Sequence, residues 1–194
     1  METHDNNDIH IKQLTSMITP VQLMKDVPIT IEASQNVHTY REGIKQILSN
    51  DDDRMLIVCG PCSIHNTKEC MVYARHLKKL ADKHAKHLLI VMRTYFEKPR
   101  TTVGWKGLIN DPHMDGSCDV NEGLQQARQF LVDVNTLGLP VGVEFLDTIT
   151  PQYISDLISW GAIGARTTES QVHRQMVSGL SMPVGFKNGT DGNK

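Results

Sequence analysis

No apolar run in this 194-residue sequence approaches the roughly 20 residues that a helix needs to cross a bilayer, so nothing in it reads as a membrane span. Neither sign of charge is in excess. Twenty basic residues against 22 acidic ones leave a net charge of −2 at pH 7, which removes the basic field expected of a nucleic-acid or anionic-membrane binder. The N-terminal "METHDNNDIHIK" is polar and lacks the charged-then-apolar order of a secretory signal, so a cytoplasmic address is the default expectation. In that compartment the four cysteines (Cys59, Cys62, Cys70 and Cys118) are expected to be reduced. No internal repeat and no low-complexity tract is present. A Walker loop, G-x-G-x-x-G, H-E-x-x-H and a second C-x-x-C are all missing, so neither those phosphate cradles nor a self-contained metal motif is available. What is there has the balance of a soluble globular protein, 39% hydrophobic and 22% charged, enough for one domain or for part of a larger one.

Residues 1–35 read as a polar arm broken at Thr19-Pro20 and Val27-Pro28, with one short helix in "TPVQLMKDV". Helical spacing from Val37 to Leu48 opens the main domain, 36–194. Short apolar runs then alternate with helical segments. "MLIVC" (55–59), "LLIVMR" (88–93), "PVGVEFL" (140–146), "AIGAR" (162–166) and "PVGFK" (183–187) predict strands buried on both faces. Helices are expected at 68–87, 119–138, 150–161 and 169–180. Such alternation means a parallel sheet, doubly wound or closed into a barrel. The barrel is favoured because reactive residues recur at successive strand ends: Cys62 after the first, Arg93 after the second, Glu144 near the end of the third, Arg166 and Lys187 at the fourth and fifth. Barrel sites are assembled in this way. The expected fold is therefore α/β, the first five strands of a (β/α)8 TIM barrel behind an N-terminal extension.

Arg93, Lys98, Arg100, Arg166 and Lys187 form a cationic set suited to a phosphorylated, carboxylated small molecule. A lone strand-end arginine is commonly just a solvated charge; three such cations at three strand ends, with Lys98 and Arg100 on the intervening loop, point to an anion site. "RTYFEKPRTTVGWKGLINDPHMDG" (93–116), rich in Gly and Pro, predicts a long ordered loop of the functional kind. "VCGPCSIHN" (58–66) has the C-x-x-C spacing of a dithiol, yet the strand runs straight into Cys59 and the helix waits until about residue 67. Thioredoxin-type thiols sit instead on a helix N-terminus. Cys62, followed by His65, is left as a metal ligand or a small apolar side chain, with redox chemistry third.

"GPCSIHN", "RTYFEKPRTTVGWKGLINDPHMDG", "WGAIGARTTESQVHRQ" and "SGLSMPVGFKNGTDG" together resemble the class I, bacterial type of 3-deoxy-D-arabino-heptulosonate 7-phosphate (DAHP) synthase. The resemblance implies a (β/α)8 barrel and one divalent metal ion of the manganese, iron, cobalt or zinc type. It implies an aldol-like condensation of phosphoenolpyruvate with erythrose 4-phosphate, the step that opens aromatic amino-acid synthesis. Carried over, it makes Cys62 a metal ligand rather than half of a dithiol. Arg93, Lys98, Arg166 and Lys187 become the phosphoenolpyruvate clamp, with Glu144 and the Gly164-Ala165 backbone beside it. Lys98, Pro99, Arg100 and Thr101 would hold the sugar phosphate. Feedback inhibition by an aromatic amino acid, phenylalanine favoured, is implied near Asp8, Pro151, Gln152, Leu180 and Ser181. The arm is expected to serve regulatory contacts or a homo-oligomer, dimer or tetramer. The family's other metal ligands, a His, a Glu and an Asp, belong to later strands than those seen here. A fragment of a longer chain and a separate short product both remain open, and in either case the 194 residues alone are expected to be inactive. A related synthase that uses arabinose 5-phosphate is the runner-up, and a non-catalytic binding or assembly piece the alternative outside enzymes.

Overall fold

A computed structural model of the chain describes residues 6–192. The elements run α1 (Pro20–Asp26), α2 (Ile31–Leu48), β1 (Met55–Cys59), α3 (Thr67–His84), β2 (Leu88–Arg93), α4 (Val120–Thr136) and β3 (Val141–Glu144). There follow α5 (Pro151–Ile154) with a 3-10 turn at Ser155–Leu157, β4 (Trp160–Ile163), α6 (Gln171–Ser178) and β5 (Val184–Phe186). Most helices begin where a side chain accepts from an otherwise orphaned amide: Thr30 takes Ala33, Asn66 takes Lys68 and Glu69, Asp119 takes Glu122, and Ser170 takes His173.

All strand pairs are parallel and the sheet order is β1-β2-β3-β4-β5. A doubly wound sheet would reverse at a switch point; this one never does. It is a half-barrel, and β1 and β5 each keep one edge without a strand partner among the described residues.

The side-chain alternation of each strand divides the sheet into two faces. On β2, Ile90 and Met92 enter the main core under α3 and α4, while Leu89 and Val91 face the other way and are covered by Ile44, Tyr40 and Ile47 of α2. The same parity puts Arg93, Glu144 and Lys187 on the α2 face, at the C-terminal ends of their strands.

Three expectations are corrected. Helix α2 starts at Ile31, well before Val37, because Thr30, two residues after Pro28, caps it. The helix expected over 150–161 closes after one turn plus the 3-10 segment, since the Tyr153 carbonyl accepts from Arg128 and that of Ser155 from Arg41. Strand β4 starts at Trp160, paired with Gly142, and finishes at Ile163, so Arg166 lies beyond the strand rather than ending it.

Candidate active site

Arg93 and Lys98 meet at Cys62. Arg93 Nη2 donates to the main-chain oxygen of Cys62 at 3.2 Å, and Lys98 Nζ donates to the same oxygen at 3.3 Å and to Sγ at 2.9 Å. The Lys98 hydrogen bond and charge, helped by Arg93 and Arg100, hold the exposed Cys62 thiol below its ordinary pKa, toward thiolate. Burial does the opposite to Cys59 and lifts its thiol. Both are free, and they are chemically different groups.

Tyr95 organises the cations in a way the sequence did not disclose. Its ring is buried, the Arg93 guanidinium carbon stands 3.8 Å from the centroid and Lys187 Nζ stands 5.6 Å from it. One ring therefore serves two like charges, one from the end of β2 and one from just after β5, and Arg93 Nε is buried with no acceptor among the described residues. Glu144 is held close to Gly164, where a Cβ would lie 1.9 Å from Glu144 Oε1, so only glycine admits the carboxylate there.

The loop 93–116 is ordered, as expected. Glu97 and Gly107 form an antiparallel bridge, the Lys98 amide donates to Lys106 O at 2.9 Å, and Trp105 Nε1 donates to Asp111 O at 2.7 Å. Gly107 takes φ 107°, and a Cβ there would meet Phe96 O at 2.0 Å, so this bridge requires glycine. Lys98, Pro99, Arg100, Thr101 and Arg166 line one cleft of about 490 Å³ with Glu97 and Asp147. A larger groove of about 760 Å³ lies between α1, α3 and α4, but Asp26, Asp119, Glu122 and Asp133 outnumber Lys68 there, the wrong balance for phosphate.

His65 sides with Glu69, 3.7 Å away, rather than with Cys62, and among the described residues no three His, Cys, Asp or Glu side chains converge on one point. The expected effector residues fall on three segments: the arm, α5 and the turn after α6. Asp8 is exposed on the arm, accepting from the Ile11 amide. Pro151 is buried at the start of α5 and Gln152 is exposed beside it, while Leu180 and Ser181 line a groove with Arg41, Ser155 and Asp156. The arm reaches α5 through Ile18, whose carbonyl accepts from Tyr153 Oη at 2.7 Å.

Sequence reasoning also missed Arg128. It is 1% exposed, forms a bidentate pair with Asp156 at 2.7 and 2.8 Å, and donates to Val27 O and Tyr153 O. The signal was available, since Arg128 falls on the apolar face of α4 with Leu124, Leu131 and Val134.

The chain is similar to proteins of known kind along nearly its whole length. It is 58% identical over 189 residues to the Phe-sensitive phospho-2-dehydro-3-deoxyheptonate aldolase of Escherichia coli (strain K12), covering 97% of this chain and 54% of that protein. It is 56% identical over 186 residues to the Tyr-sensitive protein of the same organism and 55% identical over 187 to the Trp-sensitive one of Enterobacter agglomerans, covering 96% of this chain in each case and 52% and 54% of those proteins. The solved phospho-2-dehydro-3-deoxyheptonate aldolase of Francisella tularensis SCHU S4 superposes with a TM-score of 0.90 at 51% identity, over 93% of this chain and 53% of that one. The chain thus spans about half the length of the relatives it matches. Residues 26–193 match the DAHP synthetase I family, and to that family the chain belongs.

Proposed function

We propose that these residues form the phosphoenolpyruvate-binding half of a DAHP synthase, which joins phosphoenolpyruvate, erythrose 4-phosphate and water into DAHP and phosphate. The convergence of Arg93 and Lys98 on Cys62 carries this reading, because it sets two cations and a thiolate-prone sulfur together at the mouth of the half-barrel. Arg93 and Lys187, both on the ring of Tyr95, together with Lys98 and Arg166, clamp phosphate and carboxylate. Glu144 and the Gly164-Ala165 backbone border the same ligand. Lys98, Pro99, Arg100 and Thr101 hold the sugar phosphate in the neighbouring cleft. Fixing both reactants in this way removes much of the entropic cost of their encounter.

A divalent metal fits this site at one corner. Cys62 Sγ is exposed, biased toward thiolate and soft enough for a manganese, iron, cobalt or zinc ion. When bound, such an ion supplies Lewis-acid polarisation of the aldehyde. Cys62 is the donor that this chain contributes. The names of the relatives, sensitive to Phe, Tyr or Trp, support feedback inhibition by an aromatic amino acid, phenylalanine favoured. The full-length protein works as a homo-oligomer, dimer or tetramer.

The test is calorimetric titration of phosphoenolpyruvate into the full-length protein with and without Mn²⁺, followed by phosphate-release assays with erythrose 4-phosphate and with arabinose 5-phosphate. Binding that survives metal removal, and turnover that needs both metal and the four-carbon sugar, are expected. Preference for arabinose 5-phosphate, or no phosphoenolpyruvate binding at all, overturns the reading.

A further inference from the structure

Glu97 is an acid placed among groups that select anions. It precedes the Lys98–Thr101 segment directly, its backbone is pinned by the bridge to Gly107, and it lines the 490 Å³ cleft with Arg100, Thr101 and Arg166. A carboxylate there would repel a phosphorylated substrate. Lys98, Arg100 and Lys106 of its own loop and Arg166 after β4 share the cleft, yet none forms an ion pair with it among the described residues. Its charged neighbours are instead the carboxylates of Asp147 and Glu144, from the end of β3. Burial first, then the charge of Asp147 and more weakly that of Glu144, push Glu97 up to about 8, against a smaller downward pull from the Asp147 main chain and the Thr150 hydroxyl.

We propose that Glu97 is a catalytic acid of this site, giving its proton to the aldehyde oxygen of the sugar phosphate as the new carbon–carbon bond forms. The inference rests on the reaction proposed above. The C2–C3 π pair of phosphoenolpyruvate forms the bond to the aldehyde carbon, and the carbonyl π pair moves onto oxygen, which takes the proton and becomes a hydroxyl. Water adds at the electron-poor C2 and its released proton restores the Glu97 carboxyl. The C2–O bond to phosphate then breaks, and phosphate leaves with the proton of the C2 hydroxyl as the ketone forms. Atoms and charge balance with no further reactant. An acid of this kind contributes about 10²- to 10⁴-fold when its pKa lies near the working pH.

The test compares the full-length wild-type protein with Glu97→Gln and Glu97→Asp, measuring kcat, both KM values and the pH dependence of kcat. The acid form is the active one, so wild-type kcat is expected to fall as pH rises through about 8. Glu97→Gln is expected to lose about 10²- to 10³-fold in kcat, with the phosphoenolpyruvate KM little changed and the alkaline limb gone. Glu97→Asp should recover part of kcat and regain a limb at lower pH. A Gln variant within threefold of wild-type kcat, or one that keeps the wild-type limb, overturns the proposal alone. A wild-type protein that does not consume both substrates overturns the proposed reaction and this step with it.

Discussion

Cys59 and Cys62 share a C-x-x-C spacing, but burial makes one a reluctant acid while Lys98, Arg93 and Arg100 make the other a ready one. In the full-length protein Cys62→Ser should therefore lose bound metal and activity, because a hydroxyl replaces thiolate poorly, whereas Cys59→Ser should keep both and lower only thermal stability. Metal analysis and turnover check this; equal metal loss in the two variants would count against it. Arg100→Ala should raise the sugar-phosphate KM by one to two orders of magnitude, from a charge-assisted contact of about 1.5–3 kcal/mol, with the phosphoenolpyruvate term little moved in steady-state kinetics. Tyr95 extends the same logic to an uncharged residue. Removing the ring in Tyr95→Leu should weaken phosphoenolpyruvate about tenfold by calorimetry, in line with the roughly 0.5–2 kcal/mol of a cation–π contact, and Tyr95→Phe should stay near wild type. Arg93 and Lys187 stood out in the sequence because charge has few reasons to gather at or next to strand ends, whereas Lys98, Arg100 and Arg166 lie in the loops beyond. Tyr95 and Glu97 did not stand out, because their roles depend on what the folded loop buries them against, and Asp147 is far from Glu97 along the chain.

The elements themselves were read from short apolar runs, caps and breakers, and β1 and β2 fall where those runs lie. The misread helix is α5, whose pattern continues past Ile154 while its carbonyls turn to Arg128 and Arg41. Local propensity carries no record of such distant donors. Arg128 thus joins α4 to the end of α1, to α5 and to the 3-10 turn through one guanidinium. Arg128→Met should cost about 2–4 kcal/mol in urea unfolding, because the carbonyls of Val27 and Tyr153 lose their donor inside the protein while Asp156, a third exposed, turns partly to water. Asp156→Asn should cost less than half of that, since the bonds to Val27 and Tyr153 remain. A loss below about 1 kcal/mol in Arg128→Met would mean that neighbouring contacts, not this guanidinium, hold the elements together.

At the scale of the whole molecule, β1 and β5 present unpaired edges among the described residues, and Met55, Val58 and Phe186 on those strands are exposed. Parallel edges of this kind recruit other strands. Residues 1–194 expressed alone should therefore associate, with light scattering and sedimentation showing species larger than a monomer; a stable monomer at high concentration would speak against open edges. The same topology bears on how the protein is made. Because β1 to β5 lie side by side in chain order, each strand leaving the ribosome finds its neighbour already in place. The sheet can grow by accretion at one moving edge, every step closing only the connection back to the preceding strand, and because closure entropy rises slowly with length even the long β2–β3 connection adds little to it.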